Sequence, residues 1–396
     1  MGKLKSLFIG AAAVGCVVLS GTPTAAGEFM RGAAYYTAGV SVSESSYNSE
    51  SLPLSETSET SSAADRTSTV SSVVTESTAV TSGSTSTTSV TSAPAALPVA
   101  RKRGRIITKN RTEGTDDTDY SEFTKRDAAI ERYNFGYFDD PNVITLPSGA
   151  QIRNYTEEDN AGLLAEALEL SGFAETDSFS LADEPQVLIY HTHTSESFLP
   201  YGDSYDSDYP IRSSDCSRNM TAVGDAVCEA LARRGISSVH DCRVHDYPMF
   251  TGAYYRSAET LLEDLEEYPS IKIAIDLHRD GILNDDASVT APVAEINGKT
   301  AAQFMIITGC DSPETEIPDY IKNFKLACLI QNSAEELYPT LARPVLFDYR
   351  NYNQSLFEGD LLIEVGSQGN SLGEAVYTGE LLGDILANAV NAPADR

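Results

Sequence analysis

The apolar positions in the C-terminal half of the chain fall in short unbroken runs separated by amphipathic stretches. Val187-Leu-Ile-Tyr190, Ile236 to Val239, Ile271-Lys-Ile-Ala-Ile-Asp276, Phe304 to Thr308, Val345 to Tyr349 and Leu361 to Val365 read as buried strands. Between them the apolar spacing turns helical. Asn219 to Arg234 places Val223, Val227 and Leu231 on one stripe and stops at Gly235. Ala253 to Tyr268, Ile321 to Leu337 and Leu372 to Val390 repeat the pattern. Alternating strands and helices of these lengths predict an α/β fold, a mostly parallel twisted sheet with helices on both faces. Such sheets hold their ligands outside the carboxyl ends of the strands. Polar residues that follow each apolar run are therefore the candidates for chemistry.

Further upstream the pattern weakens. Val143-Ile-Thr-Leu146 followed by Pro-Ser-Gly149 reads as a strand and turn, and Ala161 to Leu170 has the spacing of a short helix. Residues 120–182 are expected to be a lead-in to a main domain over 183–396. From Ser41 to Ser92 the chain is dominated by Ser and Thr, with too few apolar groups to offset the entropy of ordering. Residues 31–119 are expected to be a disordered linker. It ends in a basic cluster of Arg101, Lys102, Arg103, Arg105, Lys109 and Arg111, which suits either contact with an anionic wall polymer or lipid headgroups, or plain solvation. In residues 1–30, Lys3 and Lys5 precede the apolar run Leu7 to Leu19. That is the pattern of a signal or membrane anchor, and the run is short for a spanning helix. Retained anchor, cleaved signal with secretion, and lipidation at Cys16 are all open. The positive-inside rule puts the remainder outside the cytoplasm in the first two cases.

Composition narrows the function. The 396 residues carry 58 Asp+Glu against 28 Lys+Arg, a net charge of −30, which disfavours nucleic acid as a partner. The six Cys contain no CxxC pair, so neither a Cys₄ zinc site nor a thioredoxin-like pair is present. Cys216, Cys228, Cys242, Cys310 and Cys328 fit no small disulfide scaffold, and buried free thiols are the expectation.

Three of the five His follow or close predicted strands. They lie in His191-Thr-His193-Thr-Ser-Glu196 and in Asp276-Leu-His278-Arg-Asp280, while Glu364 interrupts the apolar run Leu361 to Val365. A carboxylate between Ile363 and Val365 is costly unless a cation or metal pairs with it. Two His, one Glu and a separate carboxylate base make up the donor set of a catalytic zinc hydrolase. His193 and Glu196 have HxxE spacing and His278 supplies the third ligand, with Glu364 as the base. His191 shares a face with His193 at i and i+2, so which of the two binds metal is open. His240, His245 and Arg279 are candidates for supporting the ligands or meeting substrate. Asp276, two before His278, is placed to orient an imidazole.

The motifs Val187-Leu-Ile-Tyr-His-Thr-His-Thr-Ser-Glu-Ser197, Val244-His-Asp-Tyr-Pro248 with Gly252-Ala-Tyr-Tyr-Arg-Ser257, Ile275-Asp-Leu-His-Arg-Asp280, and Leu361-Leu-Ile-Glu-Val-Gly366 with Asn353-Gln and Asn370 resemble the stage II sporulation protein P family. The resemblance covers roughly residues 180 to 390. It implies a membrane-anchored peptidoglycan hydrolase of forespore engulfment, related to zinc N-acetylmuramoyl-L-alanine amidases, with peptide-crosslink endopeptidase activity besides. It also implies stage II sporulation proteins D and M as partners. In those amidases the carboxylate ligand often comes from the start of the next helix, where this chain reads Ser217-Arg-Asn-Met-Thr221 without Glu, so Glu196 is the nearest substitute. Two other readings stand beside it. A carboxypeptidase A-like zinc peptidase shares the ligand order and needs an Arg for a free carboxylate, with Arg256, Arg279 and Arg350 available. A non-catalytic surface scaffold would suit the Ser/Thr-rich stalk.

Overall fold

The computed structural model describes residues 102–111, 116–169, 184–284 and 288–391. The expected anchor and the Ser/Thr-rich stretch lie outside these residues. Among the described residues no helix is long and apolar enough to cross a membrane.

The main sheet has nine strands. In chain order they are β1 (Ile106–Lys109), β3 (Val143–Thr145), β4 (Gln151–Asn154), β5 (Val187–Tyr190), β7 (Ser238–Asp241), β8 (Ile273–Asp280), β11 (Phe304–Gly309), β12 (Val345–Asp348) and β13 (Asp360–Ser367). Their spatial order is β1-β7-β5-β8-β13-β11-β12-β4-β3. Every pairing is parallel except β13 with β11 and β3 with β4. The expected α/β class and largely parallel sheet are therefore observed. β5, β8 and β13 lie side by side at the centre and are buried at every residue, as strands covered on both faces should be.

The helices are α1 (Asn160–Leu168), α2 (Met220–Arg233), α3 (Ala253–Glu267), α4 (Tyr320–Leu337) and α5 (Leu372–Asn391). Asn219 caps α2 by accepting from the Thr221 N–H. Val223, Val227 and Leu231 of α2, Phe324 and Ala327 of α4, and Leu382 and Ile385 of α5 join Ile189, Ile275, Leu277, Ile363 and Val365 in the largest core. The alternate strand residues Leu188, Tyr190 and Ala274 pack under Leu261 of α3 on the opposite face. Side chains alternate along a strand, so Asp276 and His278 point to the α3 side. Leu362 and Glu364, their register partners on β13, point the same way.

A smaller sheet, ordered β10-β9-β2-β6, is built from β2 (Ala128–Tyr133), β6 (Ser204–Tyr205), β9 (Val289–Ile296) and β10 (Lys299–Ala302). β9 and β10 form a hairpin that turns at Asn297 and Gly298, both at positive φ.

Three sequence expectations differ from the fold. The basic cluster was expected in the linker, but Ile106–Lys109 pairs with β7 as the edge strand of the main sheet. Arg103 pairs with Glu229, Arg111 with Asp225, and Lys109 with Asp264 and Glu267. The alternation Ile106-Ile-Thr-Lys109 is too short to stand out against its basic neighbours. The expected lead-in contributes β3 and β4 to the main sheet through pairing with β12. The third predicted strand runs on to Asp280, so His278 and Arg279 lie within it. Buried polar partners compensate the charges that made it read as a loop.

Candidate active site

The site is assembled from the turn after β5 and the C-terminal ends of β8 and β13. β5 delivers His191 to Ser197 into a buried turn. Asp276 fixes the start of that turn by accepting from the Thr192 N–H (2.7 Å) and the Thr192 hydroxyl (2.6 Å). Asp246 fixes its end by accepting from the Ser195 N–H (3.1 Å) and hydroxyl (2.6 Å).

These anchors bring His193 against His278, with ring centroids 5.2 Å apart at 84°. His193 also stacks on Phe250 at 4.5 Å and meets the Tyr254 ring edge at 5.5 Å. Its Nδ1 is buried without a hydrogen-bond partner in the protein, 3.9 Å from Asp246 Oδ2. Burial, reinforced by the charge of His278, pulls the His193 pKa down to about 3, so its ring is neutral. His278 Nε2 lies 2.9 Å from Asp276 Oδ1, off the line of a hydrogen bond, and Nδ1 lies 3.8 Å from Glu196 Oε2. Burial alone would lower its pKa, but Asp276, Glu196 and Glu364 outweigh burial and raise it to about 9. Glu196 Oε2 accepts the Arg279 backbone N–H at 3.0 Å, and Oε1 lies 3.6 Å from Arg212.

Glu364 is opposite His278 in the β8–β13 register. It is 8% exposed, and its Oε2 has no hydrogen-bond partner in the protein. Burial, then the nearby Asp280 carboxylate, raises its pKa to about 8. A buried carboxylate, two imidazoles and a second carboxylate thus converge where the sequence pattern placed them.

The other sequence candidates are bound elsewhere. His191 Nδ1 meets the Leu277 carbonyl at 2.9 Å and its Nε2 meets His240 Nε2 at 3.0 Å, so it turns away from His193 and His278. Burial and His240 pull its pKa down to about 3. His240 continues to Asp225 at 3.1 Å. His245 donates from Nδ1 to the His191 carbonyl at 2.7 Å and accepts at Nε2 from the Thr260 hydroxyl at 2.8 Å. These two His brace the turn from behind. Arg279 acts through its backbone, and its side chain donates to the Asp280 carbonyl. Arg256 is spent on the carbonyls of His245 and Met249, and Arg350 on Asp348. Asp246, Arg212, Phe250 and Tyr254 were given no role by sequence. The first and the last two sit in or just after the motif at Val244 to Pro248, where a buried acid followed by aromatics was the available signal.

The donor chemistry fits a borderline cation such as zinc: the unpartnered Nδ1 of His193, Nδ1 of His278 on the Glu196 side of its ring, and the Glu196 carboxylate. The side chains as they stand do not close on such an ion. Among the described residues no group of three His, Cys, Asp or Glu is arranged to hold a metal. His278 meets Asp276 through Nε2, which leaves Nδ1 as the nitrogen turned toward Glu196.

All five described Cys are buried and none is joined to another as a disulfide, and Cys228, Cys310 and Cys328 pack in the largest core.

Comparison with known proteins places this chain in a family. A curated relative, the stage II sporulation protein P of Bacillus subtilis (strain 168), is 30% identical over 226 residues. The match covers 54% of this chain and 50% of that protein, so the chain spans about half the length of the relative. Among solved structures, the N-acetylmuramoyl-L-alanine amidase AmiC2 of Nostoc punctiforme covers 52% of this chain and 94% of its own at 13% identity and a TM-score of 0.30. The CwlD amidase from Clostridioides difficile, solved with the GerS lipoprotein, gives the same coverage at 12% identity and a TM-score of 0.31. Residues 41–387, most of the chain, match the stage II sporulation protein P family as a whole, and the chain belongs to that family.

Proposed function

We propose that this chain is a peptidoglycan hydrolase, a zinc-dependent N-acetylmuramoyl-L-alanine amidase that works outside the cytoplasm during engulfment. The observation that carries the reading is the convergence of His193, His278 and Glu196 beside Glu364, whose buried Oε2 has no partner. His193, Glu196 and His278 would hold the metal. Zinc bound there polarises a carbonyl and makes a bound water more acidic.

The chain's own groups do the rest. Burial, ahead of the neighbouring Asp280 carboxylate, raises the proton affinity of Glu364 and suits it to proton transfer. Glu364 takes the proton of the attacking water and returns it to the leaving amine of L-alanine. Arg279 fixes the Glu196 carboxylate through its N–H. Phe250 and Tyr254 hold the His193 ring by contact. Cleavage of peptide crosslinks belongs to the same reading as a second activity. So do a membrane anchor in residues 1–30, secretion after cleavage being the alternative, and stage II sporulation proteins D and M as partners.

The test is mass spectrometry of fragments released from purified cell wall, with and without a chelator. Intact stem peptides with a free L-alanine amine, lost on chelation, support the proposal. Fragments cut only within crosslinks, or release that survives stripping of zinc, overturn it.

A further inference from the structure

One face of the sheet continues past Glu364 and carries charge that the chemistry above does not use. Glu364 is opposite Met305 on β11, Ile307 of β11 is opposite Leu346 on β12, and Leu346 is opposite Arg153 on β4. Opposed residues and residues two apart share a face, so Arg153 and Glu364 lie on the same side. Arg153 leans back over β12, placing Nη2 at 3.5 Å from the Met305 sulfur. Its guanidinium therefore sits over the strand next to that of Glu364, one spacing of about 4.8 Å away.

A second guanidinium joins it. Arg343 is 6% exposed and pairs through Nη1 with Asp280 at 2.9 Å. Its Nε and Nη2, and Nε of Arg153, are buried with no hydrogen-bond partner in the protein. Aromatic rings back both groups: Phe135 lies 5.7 Å from Arg343, and Phe138 and Tyr155 lie 5.4 and 5.7 Å from Arg153. Burial, and after it the charge of Arg343, works to lower the Arg153 pKa. Asp280 and Glu364 are the carboxylates beside these two cations, and of the two only Asp280 makes an ion pair, with Arg343. Buried guanidinium groups are normally paired, and their unused N–H forks match a carboxylate.

We propose that Arg343 and Arg153 form a carboxylate-binding subsite beside Glu364 that recognises an acidic residue of the peptide attached to the cleaved amide. The proposal rests on the hydrolase reading above. At 3.3–3.6 Å per extended residue, a guanidinium one strand away from Glu364 reaches a carboxylate about two residues from the scissile bond. A neutral stem at that position would leave these guanidinium nitrogens unpaired, so the subsite discriminates by charge.

The experiment uses the full chain and two synthetic probes. One is N-acetylmuramoyl-L-alanyl-D-glutamate; the other is the same molecule with both glutamate carboxyls amidated. Calorimetric titration should show the carboxylate form binding roughly 10- to 100-fold more tightly, the range expected for charge-assisted hydrogen bonds. Arg153→Gln should reduce that ratio several-fold and leave binding of the amidated probe unchanged. Arg343→Gln should do the same, combined with Asp280→Asn if the single variant melts early. Arg153 has no ion pair to lose, so its variant keeps the test decisive whatever Arg343 variants do. Equal affinity of the wild-type chain for both probes overturns the subsite, as does an Arg153 variant that weakens both alike. Preferential binding of the acidic probe without its cleavage would sustain the subsite and count against the hydrolase reading. Cleavage of both probes at equal affinity would do the reverse.

Discussion

Two glutamates in one pocket have different surroundings, and their substitutions should fail differently. Glu196 receives the Arg279 N–H and sits 3.8 Å from His278 Nδ1, whereas Glu364 keeps an unpartnered oxygen. Glu364→Gln should keep zinc and lose turnover by roughly 10²- to 10⁴-fold, the usual share of general acid–base catalysis. Glu196→Gln should lose zinc and activity together, because a neutral amide is a poorer ligand. Zinc content after dialysis, read beside wall hydrolysis, separates the two, and a reversal of the pattern would exchange their roles. A glycine pair probes the support behind them. A Cβ on Gly224 of α2 would stand 2.5 Å from His240 Nε2, while one on Gly373 of α5 meets nothing within 4 Å. Gly224→Ala should cost about 1–3 kcal/mol through overpacking. Gly373→Ala should be neutral or stabilising by about 0.4–1 kcal/mol. Thermal melts of the two variants check this, and a Gly224→Ala variant as stable as the wild type would contradict the packing around His240.

At the scale of elements, the long periodic segments were legible and the short ones were not. β5, α2, α4 and α5 were readable because burial on one or both faces imposes a continuous pattern. The end of β8 read as a loop because Asp276, His278, Arg279 and Asp280 are charged, and only their partners in space make burial tolerable. The β9–β10 hairpin went unread although Asn297-Gly298 is a turn signal. His193, Glu196, His278 and Glu364 were legible as types at strand ends, whereas the choice between His191 and His193 needed the turn geometry that sends His191 to Leu277 and His240. The link from β7 to α3 carries a titrating device. His245 is held neutral between the His191 carbonyl and the Thr260 hydroxyl, and burial lowers its pKa. Its folded pKa lies below the unfolded value of about 6.5, so its contribution is whole above that pH and is lost as pH falls. His245→Asn retains a donor for the carbonyl and removes the proton uptake. Its stability should fall less steeply below pH 6.5, by up to about 1.4 kcal/mol per pH unit. Urea melts across pH 4.5–7 measure it, and parallel pH profiles for the two proteins would rule it out.

For the whole molecule, the main question is where the folded unit begins. Composition alone put the boundary near Tyr120, because basic residues and a Ser/Thr-rich stretch precede it. The sheet puts it earlier. β1 covers the β7 edge, and Lys109 supplies the cation for Asp264, whose side chain is fully buried. Burial pushes the Asp264 carboxyl up to about 6 even with Lys109 opposing. A chain starting at Tyr120 would leave that carboxyl without its partner and expose the N–H and C=O groups of β7 as an open edge. Removing one member of a buried pair costs about 3–5 kcal/mol, a large share of the roughly 5–15 kcal/mol that holds a domain together. We therefore expect the chain from Lys102 onward to melt with the full-length protein and to digest wall as fast per molecule. The Ser/Thr-rich stretch offers neither core nor catalytic groups. The chain from Tyr120 onward should melt several degrees lower and aggregate on warming. Scanning fluorimetry and light scattering on the three lengths decide the matter. Equal melting of the two truncated chains would mean that β1 adds nothing to the sheet, and slower digestion by the Lys102 chain would give the Ser/Thr-rich stretch a part in catalysis.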